Sequence, residues 1–179
     1  MLNKMLRRVM LAALMTAAIN LHADSTWKEK LQKELPLLGH RNWIVVADAA
    51  YPLQTAPGIE TICADADQVA VVKEVLAALA KTRHVKPAIY TDSEMKFVAE
   101  KNAPGIGAYR EALANILANQ PMQTLPHEQI IGKLDEAGKT FKVLLIKTPL
   151  TLPYTSVFFQ LECGYWDAAS EKELRDAMK

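Results

Sequence analysis

Cysteine, glycine and net charge are all scarce in this sequence, and each shortage removes a class of answer. There are two cysteines, Cys63 and Cys163, so the chain has neither the close pairs that zinc sites use nor a disulfide framework. Seven glycines and nine prolines in 179 residues are too few for a collagen-like or low-complexity chain. With 21 Lys and Arg against 20 Asp and Glu, no electrostatic footprint for nucleic acid is present. The run from Val9 to Ile19 falls well short of the roughly 20 apolar residues that span a bilayer. Gly105-Ile106-Gly107 lacks the rest of either phosphate-binding fingerprint and reads as a helix entrance. What is present is ordinary: half of the residues are apolar and 23% are charged, enough for one domain with a real core.

The charge is unevenly placed. Residues 1–23 hold Lys4, Arg7 and Arg8 with no acid, and four of the seven methionines. A basic start, a short apolar run and the small-residue exit Leu21-His22-Ala23 read as a secretory signal, with an amphipathic first helix as the other reading. Export would leave residues 24–179 as the mature domain, periplasmic or secreted, with 18 basic against 20 acidic residues. No cysteine lies near the cut, so no lipid anchor is expected. The two cysteines fall in runs that look like buried strands, Ile59 to Cys63 and Val157 to Cys163, which suits buried core thiols. That compartment also permits a disulfide, and no catalytic thiol is expected.

Along the mature chain, Trp27, Leu31, Leu35 and Leu38 fall at helical spacing. Trp43 to Ala47 is a continuous apolar, β-branched run that suits a strand covered on both faces and ends in Asp48. Ile59 to Cys63 follows a Pro57-Gly58 turn. A helix from Ala66 to Lys81 is expected to bury Val69, Val72, Leu76, Leu79 and Ala80, with Asp65 and Asp67 at its entrance. His84 to Thr91 carries a strand whose Pro87 must sit at its start or on an unpaired side. Asp92-Ser93 opens a polar stretch without a readable structure. Helices are expected from Pro104 to Ala118 and from Pro126 or His127 to Ala137, the latter stopped by Gly138. Phe141 to Lys147 and Val157 to Cys163 are the strongest strand signals. The alternation predicts a single three-layer α/β/α domain with a mixed, largely parallel sheet.

Ligands in such a sheet sit beyond the carboxyl ends of strands. Asp48 occupies that position on the first buried strand. His40 lies just before the strand begins, so the two share a site only if the Gly39-His40 loop folds back or if the site is shared between subunits. His127 follows a short extended piece at a helix start, where an imidazole can hydrogen-bond a ligand hydroxyl. Tyr154-Thr155-Ser156 is a polar turn leading into an apolar strand.

Three segments in this order resemble one family, the D-ribose pyranase and L-fucose mutarotase proteins. Leu38-Gly39-His40-Arg41-Asn42-Trp43 through Asp48-Ala49 is similar to the family's opening, a Gly-His before a hydrophobic strand ending in Asp. His127-Glu128-Gln129 matches its late His-Glu-Gln, and Pro153-Tyr154-Thr155-Ser156 with the strand after it resembles its closing Pro-Tyr-x-Asn. The resemblance implies an isomerase that interconverts sugar anomers or ring forms without a cofactor or metal. It implies His40 as the catalytic proton donor, and Asp48, His127, Tyr154 and Ser156 as contacts to a monosaccharide. It also implies a ring-shaped homo-oligomer, a pentamer or a pair of pentamers, with sites at subunit boundaries. An imidazole suits the chemistry, since opening a hemiacetal needs one proton delivered to the ring oxygen and one removed from the anomeric hydroxyl.

Three positions depart from the pattern. Asn42 stands where an Asp is usual, Ala50 where a Gly is usual, and Ser156 where an Asn is usual. The export signal is a further departure, because the best-known relatives act on sugars in the cytoplasm. The competing expectation is a non-catalytic saccharide-binding or ring-scaffold protein of the same fold.

Overall fold

A computed structural model describes residues 27–179; the expected signal segment, residues 1–23, lies outside the described residues. The chain is helical over residues 27–34 (α1) and tightens into a 3-10 turn at Leu35–Leu37. It then alternates through β1 (Trp43–Ala47), β2 (Ile59–Cys63), α2 (Gln68–Leu79), β3 (Val85–Asp92), α3 (Ile106–Leu117), β4 (Met122–Leu125), α4 (His127–Gly138), β5 (Val143–Lys147), β6 (Val157–Cys163) and α5 (Ala168–Ala177). The six strands form one sheet in the order β2-β5-β1-β6-β3-β4. Only β6 runs against the rest, paired antiparallel to β1 on one side and β3 on the other. The sheet is therefore mixed and largely parallel, as expected.

β1 is wholly buried because successive residues feed opposite faces and both are covered. Ile44 and Val46 enter the core under α1, α2 and α3, whereas Trp43, Val45 and Ala47 enter the core under α4. β6 divides the same way, Phe159 to the first core and Phe158 to the second, each with no exposed surface. Burial of one such side chain stabilises by about 1.5–3 kcal/mol. The three layers are thus α1, α2 and α3, then the sheet, then α4.

Pro87 lies opposite Leu161 of β6, two residues before β4 joins at Ile89, so its missing N–H falls where no second neighbour needs one. α2 is turned from the expected stripe. It buries Val71, Val72, Val75 and Leu79 together with Gln68, whereas Val69 and Leu76 flank the core and Ala80 is exposed. The cause is the polar Gln68, which belongs inside because it has buried partners at the site. Gly138 does not stop α4 but completes it. A Cβ there would lie 2.6 Å from the Ile59 side chain, so the glycine permits close approach of β2, and the Gly58 N–H just before that strand donates to the Gly138 carbonyl at 3.0 Å.

The expectation of buried core thiols fails. Cys63 is exposed at the end of edge strand β2, Cys163 is half-buried in β6, and both are free. They sit three strand spacings apart and at opposite ends of the sheet, Cys63 at the carboxyl edge of β1 and Cys163 beyond its start, more than about 20 Å in all, which leaves no bond between them within one chain. The short extended piece expected before His127 is strand β4, whereas α5 was not expected as an element. α5 is capped by Asp167, whose side chain accepts the Ser170 N–H at 2.8 Å, and it buries none of its residues.

Candidate active site

Because β1, β3 and β4 are mutually parallel and β6 opposes them, the carboxyl ends of the first three and the start of β6 meet at one edge of the sheet. Asp48 follows β1, Asp92 ends β3, His127 starts the helix after β4, and Tyr154 to Ser156 lead into β6 between β1 and β3. Ser156 Oγ donates to Asp48 Oδ2 at 3.2 Å, and Asp48 Oδ1 accepts the Ala50 N–H at 2.9 Å. Of the two departures here, Ser156 thus ties its strand to Asp48, and residue 50 serves through its backbone.

Tyr154 adopts a left-handed conformation, φ 58°, which costs a non-glycine residue about 1 kcal/mol or more. A buried network beneath it supports that geometry. The Thr155 carbonyl accepts from Tyr109 Oη at 2.7 Å and Gln68 Nε2 at 2.6 Å, and Gln68 Oε1 accepts from Thr148 Oγ1 at 2.7 Å. Burial pushes the Tyr109 phenol up, so it remains a donor.

The Tyr154 ring stands edge-on to His127, centroids 5.5 Å apart and planes at 84°. His127 Nδ1 lies 3.1 Å from Asp92 Oδ1. Asp92 is only 2% exposed, and its Oδ2 has no hydrogen-bond partner among the described residues. Burial pushes this carboxyl up to about 6; Glu94 and Asp48 add to the rise and His127 opposes it. The His127 backbone N–H donates to both oxygens of Glu94, at 3.0 and 3.1 Å. That bond holds Glu94 below the usual carboxylate range and satisfies an N–H at a helix start that has no side-chain cap of its own. Tyr51 is buried nearby; its hydroxyl donates to Gln54 at 3.3 Å, and burial together with Asp135, Asp92 and Asp48 keeps it protonated.

Asp48, His127, Tyr154 and Ser156 therefore come together within one chain, and His40 does not join them. His40 is exposed in the turn before β1, at the opposite edge of the sheet. β1 alone separates the two edges by roughly 17 Å. The loop does not fold back, because Arg41 N–H donates to the Leu161 carbonyl at 2.9 Å and Gly39 N–H to Asn42 Oδ1 at 2.7 Å. Asn42 Nδ2 also donates to the Lys142 carbonyl at 3.2 Å, a contact an Asp could not make, so this departure builds the turn. His40 borders a cavity of about 400 Å³ with Trp43, Lys133, Glu136, Phe141 and Gln160.

Asp92, Glu94 and Tyr51 are site residues that the sequence reading missed. Asp92 carried a signal: Ile89-Tyr90-Thr91-Asp92 repeats the pattern of Val45-Val46-Ala47-Asp48, a buried strand closed by an acid. Gly105-Ile106-Gly107 is the helix entrance expected, and its Gly105 and Gly107 N–H groups both donate to Glu100, at 2.5 and 3.0 Å.

The RbsD / FucU transport protein family matches residues 23–163. No curated protein matches the chain. Among solved structures, Bacillus subtilis RbsD complexed with D-ribose is 23% identical with a TM-score of 0.50, covering 74% of this chain and 91% of that one. FucU from Bifidobacterium longum is 14% identical with a TM-score of 0.52, covering 75% and 94%. The fucose mutarotase in complex with L-fucose from Streptococcus pneumoniae is 19% identical with a TM-score of 0.49, covering 74% and 91%. The first two likenesses show a shared fold.

Proposed function

The chain belongs to the RbsD / FucU transport protein family, and we propose that it interconverts the anomers or ring forms of a monosaccharide. The observation that carries this reading is the meeting of Asp48, His127, Tyr154 and Ser156 at one sheet edge. These are the sugar contacts that the family resemblance implies, and their hydroxyl, carboxylate and imidazole groups can pair with several sugar hydroxyls at once. The RbsD structure similar to this chain holds D-ribose, which supports a sugar of that class as the ligand.

His40 delivers a proton to the ring oxygen in this reading, and it reaches the site from a neighbouring copy. The separation of His40 from Asp48 within one chain supports a closed homo-oligomer, a pentamer or a pair of pentamers, with each site shared across a boundary. The basic, acid-free start of the sequence supports export and action in the periplasm or outside the cell.

Exchange NMR over common pentoses, hexoses and deoxysugars tests the reading. Acceleration of exchange for at least one sugar is expected. Binding of a sugar with no acceleration would instead establish the non-catalytic saccharide-binding protein.

A further inference from the structure

A buried carboxylate with one oxygen on an imidazole and the other unpaired is costly to keep. Asp92 is in that state: Oδ1 is 3.1 Å from His127 Nδ1, Oδ2 has no partner among the described residues, and the side chain is fully enclosed. Every acid near it raises the cost. Glu94 faces it from the turn after β3 and Asp48 from the end of β1, with the Tyr51 hydroxyl on the loop beyond. A hydrophobic residue at the end of β3 would pack without this penalty, so the acid is kept for what it does to the imidazole.

Three contacts fix His127. Glu94 holds its backbone N–H, Tyr154 stands against its ring edge-on, and Asp92 takes its Nδ1. An ionised Asp92 can only accept, so Nδ1 must carry the ring proton in the neutral imidazole. Nε2, which has no partner among the described residues, then presents a lone pair. This arrangement lets Nε2 accept a hydrogen bond from a sugar hydroxyl and then its proton.

We propose that Asp92 is a positioning residue that locks His127 as the Nδ1–H tautomer, making Nε2 the proton acceptor for the anomeric hydroxyl. The inference rests on the sugar reading of this edge. In the ring-opening step the anomeric O–H proton passes to Nε2 and the carbonyl forms at the anomeric carbon. The bond from that carbon to the ring oxygen breaks, its electron pair staying on the oxygen, which takes a proton from His40 of the partner subunit. Reclosure reverses each transfer, so both imidazoles return to their starting states.

The test uses the full mature chain and its Asp92→Asn and His127→Ala variants. Nitrogen-15 histidine spectra at pH 7.5 report the tautomer, with His127 assigned from the signal lost in His127→Ala. The wild-type protein should show Nδ1–H at His127, and Asp92→Asn, whose amide can donate to Nδ1, should lose that preference. With a sugar found to turn over, Asp92→Asn should lower kcat by about 10²-fold or more while KM stays within about threefold. An Nε2–H tautomer in the wild type overturns the proposal even if the variant does not fold. So does an unchanged kcat, or a rise in KM alone. If the wild type accelerates no sugar, the functional reading fails, and the tautomer alone then decides whether Asp92 positions the ring.

Discussion

Among single residues, Asp92 owes its behaviour to burial. Its carboxyl sits at about 6 in the folded protein against 3.8 ordinarily. Between those values the native state holds more protons than the unfolded state, so this group's contribution to stability falls as pH rises from about 4 to about 6. Asp92→Asn removes that slope. Its melting temperature should gain on the wild type as pH goes from 4 to 7, and parallel curves in thermal melts would count against a buried, strained carboxylate. His84, just before β3, is held by Nε2 at 3.0 Å from the Leu38 carbonyl and 3.3 Å from that of Leu35. His84→Ala should therefore cost about 1 kcal/mol in denaturant unfolding without altering the site. His40→Ala should cost about 10²–10⁴-fold in exchange rate and little stability, since the ring is exposed. Asp48 was legible because an unbroken apolar strand runs into it. Asp92 closes Ile89-Tyr90-Thr91 in the same way, but that run is shorter, with Lys86 and Pro87 before it and a polar stretch after it, so its signal is weaker.

At the scale of elements, strands buried on both faces announce themselves, and those at the margin do not. β1 and β5 read as apolar runs, and β6 opens as one at Val157-Phe158-Phe159. β4 is four mostly exposed residues whose pairing with β3 is its only reason to be extended, and α5 has no buried face for periodicity to reveal. α2 and α4 show a second limit, since Gln68 faces inward for its partners and Gly138 is helical for the sake of Ile59. Glycines divide accordingly. A Cβ on Gly58 would lie 2.3 Å from the Phe141 carbonyl oxygen and 2.5 Å from that of Gly138, whereas one on Gly132, exposed within α4, meets nothing within 4 Å. Gly58→Ala should destabilise by about 1–3 kcal/mol, and Gly132→Ala should stabilise by about 0.5–1 kcal/mol. Chemical denaturation of the two variants checks both signs.

At the scale of the whole molecule, the alternation of strands and helices was enough to give the layered α/β architecture. It was not enough to give the insertion of β6 between β1 and β3, a long-range pairing that no local signal encodes. That insertion brings Ser156 to Asp48 and sets β1 and β3 to end at the same edge, so the site is a product of topology. The distance between His40 and Asp48 was legible from spacing alone, and it ties the proposed chemistry to assembly. Subunit mixing tests that tie most directly. His40→Ala and Asp48→Asn should each be nearly inactive alone. In oligomers reassembled from equal amounts of both, each boundary draws its two residues from different chains, so exchange NMR should recover about a quarter of the wild-type rate. Mixed oligomers as inactive as their parents, or a fully active monomer, would contradict a site built from the carboxyl edge of one chain and His40 of the next.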